Sequence, residues 1–252
     1  MSRSPTIVAH RGASHDAPEN TQAAFVLAWM QGADAIEGDF RMTKDKHIVC
    51  MHDETTGRTT NRNMVVARAT LESLKQLDAG GWLSPQWRGQ RIPTLEEVLS
   101  GTPDGKLLFL EIKAGVEMLE PLKQVLDQSP VNKDRVILMA FESEVLKAAR
   151  DLFPDFVLLK LASRKRPVKK GSWTPSAQEM IEEIDALKVD GLGCSAPGLL
   201  HDHDCARQVL AAGKQLHAWT VNQPCNAAKL NAMGVASITT DKPGWIKQSL
   251  LS

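Results

Sequence analysis

Acidic, basic and imidazole groups recur two residues apart on three strand-like pieces of this chain: Val8-Ala9-His10-Arg11-Gly12, Ile36-Glu37-Gly38-Asp39 and Phe109-Leu110-Glu111-Ile112-Lys113. Side chains at i and i+2 share one face of a strand. Apolar neighbours such as Ile36, Leu110 and Ile112 mark the pieces as buried. An unpaired carboxylate there is very costly, so the charges need an equally strong partner. A divalent cation meets that demand. Glu37, Asp39 and Glu111, with an arginine, a lysine and a histidine nearby, form a hard-cation, phosphate-handling set.

The elements that must position this set alternate regularly. Strand-like runs lie near Thr6 to Arg11, Ala35 to Arg41, Lys106 to Lys113, Arg135 to Phe141, Phe156 to Leu161, Val189 to Cys194, Gln215 to Val221 and Ala236 to Thr240. Amphipathic segments between them carry helix-start signals: Asn20-Thr21 before 22–30, Pro93-Thr94 before 95–99, and Pro175-Ser176 before 177–187. Glycines 32, 101 and 213 sit where helices should stop. Eight strands alternating with helices predict an α/β fold of the (β/α)8 TIM-barrel type, with chemistry gathered at the C-terminal strand ends. The three polar clusters fall at those ends.

Residues 47–52 are also strand-like, yet Lys44-Asp45-Lys46 is too short for the crossover that a parallel neighbour requires. A β-hairpin is therefore expected between the second and third barrel strands. A two-residue turn at Asp45-Lys46 would set His52 opposite Asp39. Residues 53–91, rich in turn signals such as Ala79-Gly80-Gly81-Trp82, read as a small insertion above the catalytic face. The expected organisation is a single catalytic barrel domain over 1–252 that includes this insertion.

Composition bounds the partners. The chain has 252 residues, 42% of them hydrophobic, enough for a large core. Lys plus Arg equals Asp plus Glu at 30 each, so no global field favours nucleic acid or an anionic membrane. The N-terminus lacks a long apolar signal region, and no apolar stretch approaches ~20 residues. Cys50, Cys194, Cys205 and Cys225 lack metal or redox spacing. A soluble cytoplasmic protein with reduced thiols is the expectation.

At this point the chain resembles a known family. His10-Arg11-Gly12, Pro18-Glu19-Asn20-Thr21, Gly32-Ala33-Asp34 leading to Ile36-Glu37 and Asp39, and Thr43-Lys44-Asp45 with His52-Asp53 are similar in order and spacing to the glycerophosphodiester phosphodiesterases. So are Arg58-Thr59-Thr60, Leu77-Asp78-Ala79-Gly80, Ile92-Pro93-Thr94-Leu95, Glu111-Ile112-Lys113, Trp219-Thr220-Val221-Asn222 and Thr240-Asp241. The resemblance implies that Glu37, Asp39 and Glu111 are metal ligands and that His10 and His52 are an acid/base pair. Arg11 and Lys113 are implied as contacts to the substrate phosphate. It also implies one divalent cofactor, Mg²⁺ favoured and Ca²⁺ or Mn²⁺ as alternatives, and hydrolysis of glycerophosphodiesters to glycerol 3-phosphate and an alcohol. Competing readings are a barrel lyase acting on intact phospholipid and a non-catalytic module that binds phosphorylated head groups. Departures from the family pattern include Lys46 where a turn glycine is usual and Phe40 after the second acid.

Two further segments carry charge. His201-Asp202-His203-Asp204 has the composition of a metal site but is expected as a solvated loop after the sixth barrel strand. The basic run from Arg164 to Lys170 is either a solvated loop or a mobile cationic lid, with Trp173 or Trp219 packing over the substrate. No aromatic interleaving supports nucleic-acid binding.

Overall fold

Two-sided burial of the strands explains the architecture. Along β5 (Val136–Ala140), Ile137 and Met139 point into one cluster of buried side chains while Val136 and Leu138 point into another. Such near-continuous apolar runs suit a parallel sheet covered on both faces. The computed structural model describes residues 4–166 and 173–251. Its other strands are β1 (Thr6–Ala9), β2 (Ala35–Met42), β3 (Ile48–Cys50), β4 (Leu107–Ile112), β6 (Val157–Ala162), β7 (Gly191–Ser195), β8 (Gln215–Trp219) and β9 (Ser237–Thr240). All except β3 run parallel in the order β1-β9-β8-β7-β6-β5-β4-β2, and β1 pairs with β2 to close an eight-stranded barrel. Val8, Ala35, Phe109, Ile137, Met139, Leu159 and Leu161 fill the inside. Leu108, Leu138, Leu158, Leu192, Leu216 and Ile238 face the surrounding helices.

Helix starts follow the local signals. Thr94 and Glu97 form a reciprocal capping box before Leu95–Ser100, and Ser176 and Glu179 do the same before Ala177–Leu187. Thr21 caps Gln22–Met30 by accepting from the Ala24 amide.

The hairpin forms, but its register differs by one residue from the expected two-residue turn. Met42 pairs with Ile48, Arg41 with Val49 and Phe40 with Cys50. Thr43 and His47 bracket a three-residue loop, closed by Thr43 N–H donating to the His47 carbonyl at 2.9 Å. Lys46 adopts φ of 69°, the left-handed conformation that ends such a loop. Asp39 therefore stands opposite Met51, whose amide donates to its carbonyl, and His52 lies beyond the paired residues. The insertion then leans on the hairpin: Val66, Ala69, Leu74, Leu77, Ala79 and Ile92 bury themselves against Val49 and Met51.

One interior group ties stability to pH. His217 of β8 points into the barrel, its Nδ1 2.8 Å from Ser237 Oγ and its ring edge-on to Phe109. Burial pushes its pKa down to about 4. The unfolded chain takes up a proton near pH ~6.5 while the native barrel does not until about 4. The unfolded state thus binds more protons inside that window, so this contribution is present above it and is lost as pH falls through it, at up to about 1.4 kcal/mol per pH unit. Urea midpoints of wild type and His217→Gln at pH 6.5 and 4.5 should show a smaller acid loss in the variant. Equal losses would remove His217 from this account.

Candidate active site

The turn after β1 carries the first basic group. Arg11 and Gly12 both have positive φ, 56° and 83°, and a Cβ on Gly12 would come within 2.6 Å of Ala24. Only glycine fits that approach. The turn aims the Arg11 amide at Glu37 Oε2, 2.9 Å away, and brings Arg11 Nε to 3.1 Å from Asp39 Oδ2.

From β2 and β4, Glu37, Asp39 and Glu111 offer oxygens that all lie within 4.8 Å of one another. All three residues are buried. Burial works against ionisation of Asp39, but Arg11, Lys113, His52 and an Asn20 hydrogen bond of 2.8 Å outweigh it and hold its carboxyl below the usual range. Glu37 fares differently: burial and then repulsion from Asp39 and Glu111 push it well above that range. Burial followed by Asp39 pushes Glu111 up to about 7, even with Lys113 Nζ 2.6 Å from Oε1. Buried Glu37 Oε1 has no hydrogen-bond partner among the described residues. Three converging carboxylates, one with an orphaned oxygen, fit a hard divalent cation.

Each histidine is anchored by a carboxylate. His10 Nδ1 lies 2.6 Å from Asp241 Oδ1, and His52 Nδ1 lies 2.6 Å from Asp53 Oδ1. An ionised carboxylate only accepts, so Nδ1 carries the proton and Nε2 is left as the basic nitrogen. Burial opposes ionisation of Asp241, yet His10, Asn222 and Ser14 hold its pKa at about 2. Asp53 is likewise held at about 2, first by the Arg58 hydrogen bond and then, against burial, by His52. Burial lowers the pKa of His52, and Asp39 and Asp53 counter it in part.

His10, Arg11, Glu37, His52, Glu111 and Lys113 border a cavity of about 190 Å³ at the C-terminal end of the barrel. Residues 10–245 match the model of the glycerophosphoryl diester phosphodiesterase family. The chain belongs to that family. It is thereby an enzyme of the phosphoric diester hydrolase class. A glycerophosphodiester phosphodiesterase of Caldanaerobacter subterraneus is 34% identical, with 94% of each chain covered. The Bacillus subtilis protein YhdW is 36% identical over 95% of this chain and 96% of its own. A phosphodiesterase of Oleispira antarctica, solved in complex with the product sn-glycerol-3-phosphate, superposes with a TM-score of 0.85 at 29% identity, covering 99% of this chain and 98% of that one.

In this family member all seven residues singled out in the sequence converge, although only six of them border the cavity; Asp39 sits behind, bridging Arg11 and Lys113. Sequence spacing missed their supports. Glu19 accepts from Arg11 at 2.9 Å and from Arg58 at 2.7 and 2.9 Å, and Arg58 Nε donates to Asp53 at 2.6 Å. One chain of charges thus connects Arg11 to His52. Glu19, Asn20, Asp53, Arg58, Asn222 and Asp241 all lie in stretches that carry the family resemblance, but nothing in their spacing signalled a role.

Two expectations are corrected. His201-Asp202-His203-Asp204 is not a loop: Asp202 caps the helix His203–Ala211 and pairs with buried Arg164 at 2.8 Å. Arg164 cannot act as a lid, since it also donates to the Pro175 and Gly198 carbonyls. Residues 167–170 of the basic run lie outside the described residues. Trp173 stacks on His201, while Trp219 borders the cavity.

Proposed function

We propose that this chain hydrolyses glycerophosphodiesters to glycerol 3-phosphate and a free alcohol through a cyclic phosphate. The observation that carries the reading is the pair of carboxylate-anchored histidines facing one cavity with Arg11, Lys113, Glu37 and Glu111, with Asp39 close behind. Glu37, Asp39 and Glu111 would hold one divalent ion, Mg²⁺ being favoured, and when bound it supplies Lewis acidity and offsets charge on the reacting phosphate.

The remaining steps belong to the protein. Arg11 and Lys113 bind the non-bridging oxygens, where negative charge builds in the transition state. Nε2 of one histidine takes the proton of the glycerol 2-hydroxyl as its oxygen attacks phosphorus. The other histidine, protonated, gives its proton to the departing alcohol oxygen. Water then opens the cyclic phosphate with the two roles exchanged, which returns both histidines to their starting states. A reducing cytosolic setting is part of this reading, supported by four free cysteines, three of them buried.

Incubation with glycerophosphocholine and Mg²⁺, coupled to detection of glycerol 3-phosphate, tests the activity. No product from any glycerophosphodiester would sink it. His10→Ala and His52→Ala should each lower kcat at least ~10²-fold with metal affinity nearly intact. Strong loss of metal binding instead would recast that histidine as a ligand.

A further inference from the structure

From the insertion that follows the hairpin, Arg58 uses all three guanidinium nitrogens on two carboxylates: Nη1 and Nη2 grip Glu19 at 2.7 and 2.9 Å, and Nε donates to Asp53 Oδ2 at 2.6 Å. A fork-to-fork pair of this kind fixes direction as well as distance. Asp53 turns its other oxygen, Oδ1, to His52 Nδ1, while Glu19 Oε1 also accepts from Arg11 Nη1 at 2.9 Å. Each carboxylate is thereby held from two sides. The loop that carries Arg58 is anchored as well: Thr56, Thr59 and Thr60 are buried, and Thr56 Oγ1 donates to the Arg62 carbonyl at 2.6 Å and accepts from the Met64 amide at 3.0 Å. Thr59 Oγ1 lies 3.6 Å from Sδ of Met51, the residue directly before His52. One short stretch of chain thus holds both the histidine and its brace.

We propose that Arg58 is a positioning residue for His52: by fixing Asp53 it holds the imidazole with its proton on Nδ1 and leaves Nε2 as the basic nitrogen at the cavity. Glu19 in turn fixes Arg58. The proposal rests on the reading of His52 as an acid/base group in diester hydrolysis. A carboxylate anchored only by the ring could turn to water, and a neutral imidazole without it can carry its proton on either nitrogen. Arg58 prevents that turn by binding the oxygen that His52 does not use. It is not among the side chains that border the cavity, so it acts through Asp53 rather than on the substrate. His10 is supported differently, since Ser14 and Asn222, both neutral, hold Asp241. The insertion therefore braces His52 and not His10.

The test compares wild type, Arg58→Ala and Arg58→Lys as full-length protein with Mg²⁺ present. Nitrogen NMR of the histidine rings, at a pH where His52 is neutral and with its signals assigned by their loss in His52→Gln, should show Nδ1–H in wild type and a mixture of both tautomers in Arg58→Ala. With glycerophosphocholine, kcat of Arg58→Ala should fall ~10 to 100-fold while KM stays nearly unchanged. Added guanidinium should restore part of both losses. Asp53→Asn should lower kcat too, and adding Arg58→Ala to that variant should cause no further loss, because both act through one contact. Arg58→Lys reaches one carboxylate but cannot fork onto both, so it should fall between, and it carries the test if Arg58→Ala does not fold. An unchanged tautomer, a rise in KM alone, or independent losses in the double variant overturns the proposal. If no glycerophosphodiester is cleaved while the tautomer still follows Arg58, the hydrolytic reading fails and the positioning role stands.

Discussion

Excess chelator abolishes turnover, by at least ~10³-fold, and added Mg²⁺ restores it: this is the expected result with the largest consequence for the site. Without a cation, burial and repulsion from neighbouring carboxylates raise Glu37 well above the usual carboxylate range and Glu111 to about 7, so that protons compete for Glu111 near neutral pH. A cation replaces those protons, so its affinity should strengthen as pH rises through the range around 7 where Glu111 ionises. Asp39→Asn keeps the shape but removes the charge that faces Arg11 and Lys113, and should weaken metal binding at least ~10-fold. Metal titrations followed by activity and by calorimetry check both statements. Full activity in chelator would remove the ion from the site, and Glu111→Gln with unchanged metal dependence would remove Glu111 from the ligand set.

The second large effect concerns the nucleophile. An analogue lacking only the glycerol 2-hydroxyl should bind competitively yet be cleaved at least ~10³-fold more slowly. Attack from within the substrate has an effective concentration worth as much as ~7 kcal/mol or more, an advantage that direct attack by water lacks. The two anchored histidines suit this route, because one Nε2 can accept the 2-hydroxyl proton while the other serves the leaving oxygen. The cyclic phosphate should itself be hydrolysed, and product analysis by phosphorus NMR would follow its appearance and decay. Comparable turnover of the deoxy analogue would favour direct attack by water and would leave the histidines with a different task.

Local chemistry decided much of this protein before any folding was considered. Barrel strands such as β4 and β5 are buried on both faces and so read as largely apolar runs, and the capping pairs Thr94 with Glu97 and Ser176 with Glu179 act within one helical turn. Glu37 and Asp39 share a face because they are two residues apart, which made them recognisable as a pair. Spacing along a strand, however, says only which face a side chain takes, and nothing about what stands across from it. Closure of β1 on β9 sets Asp241 against His10 from 231 residues away, and the insertion brings Arg58 onto both Glu19 and Asp53. The left-handed backbone of Lys46 shifted the hairpin by one residue, a matter of loop geometry that residue types alone left open. Asp202 caps its helix through a local contact, Oδ1 accepting from the Cys205 amide, whereas its pairing with Arg164 through Oδ2 needed a loop from another barrel strand. The sequence by itself determined the alternation of elements and the inward set of charges, since both depend on contacts a few residues apart. Tertiary structure alone decided that Asp241 supports His10 and that Glu19 joins Arg11 to Arg58, because each depends on which distant backbone segments the closed barrel and its insertion make neighbours.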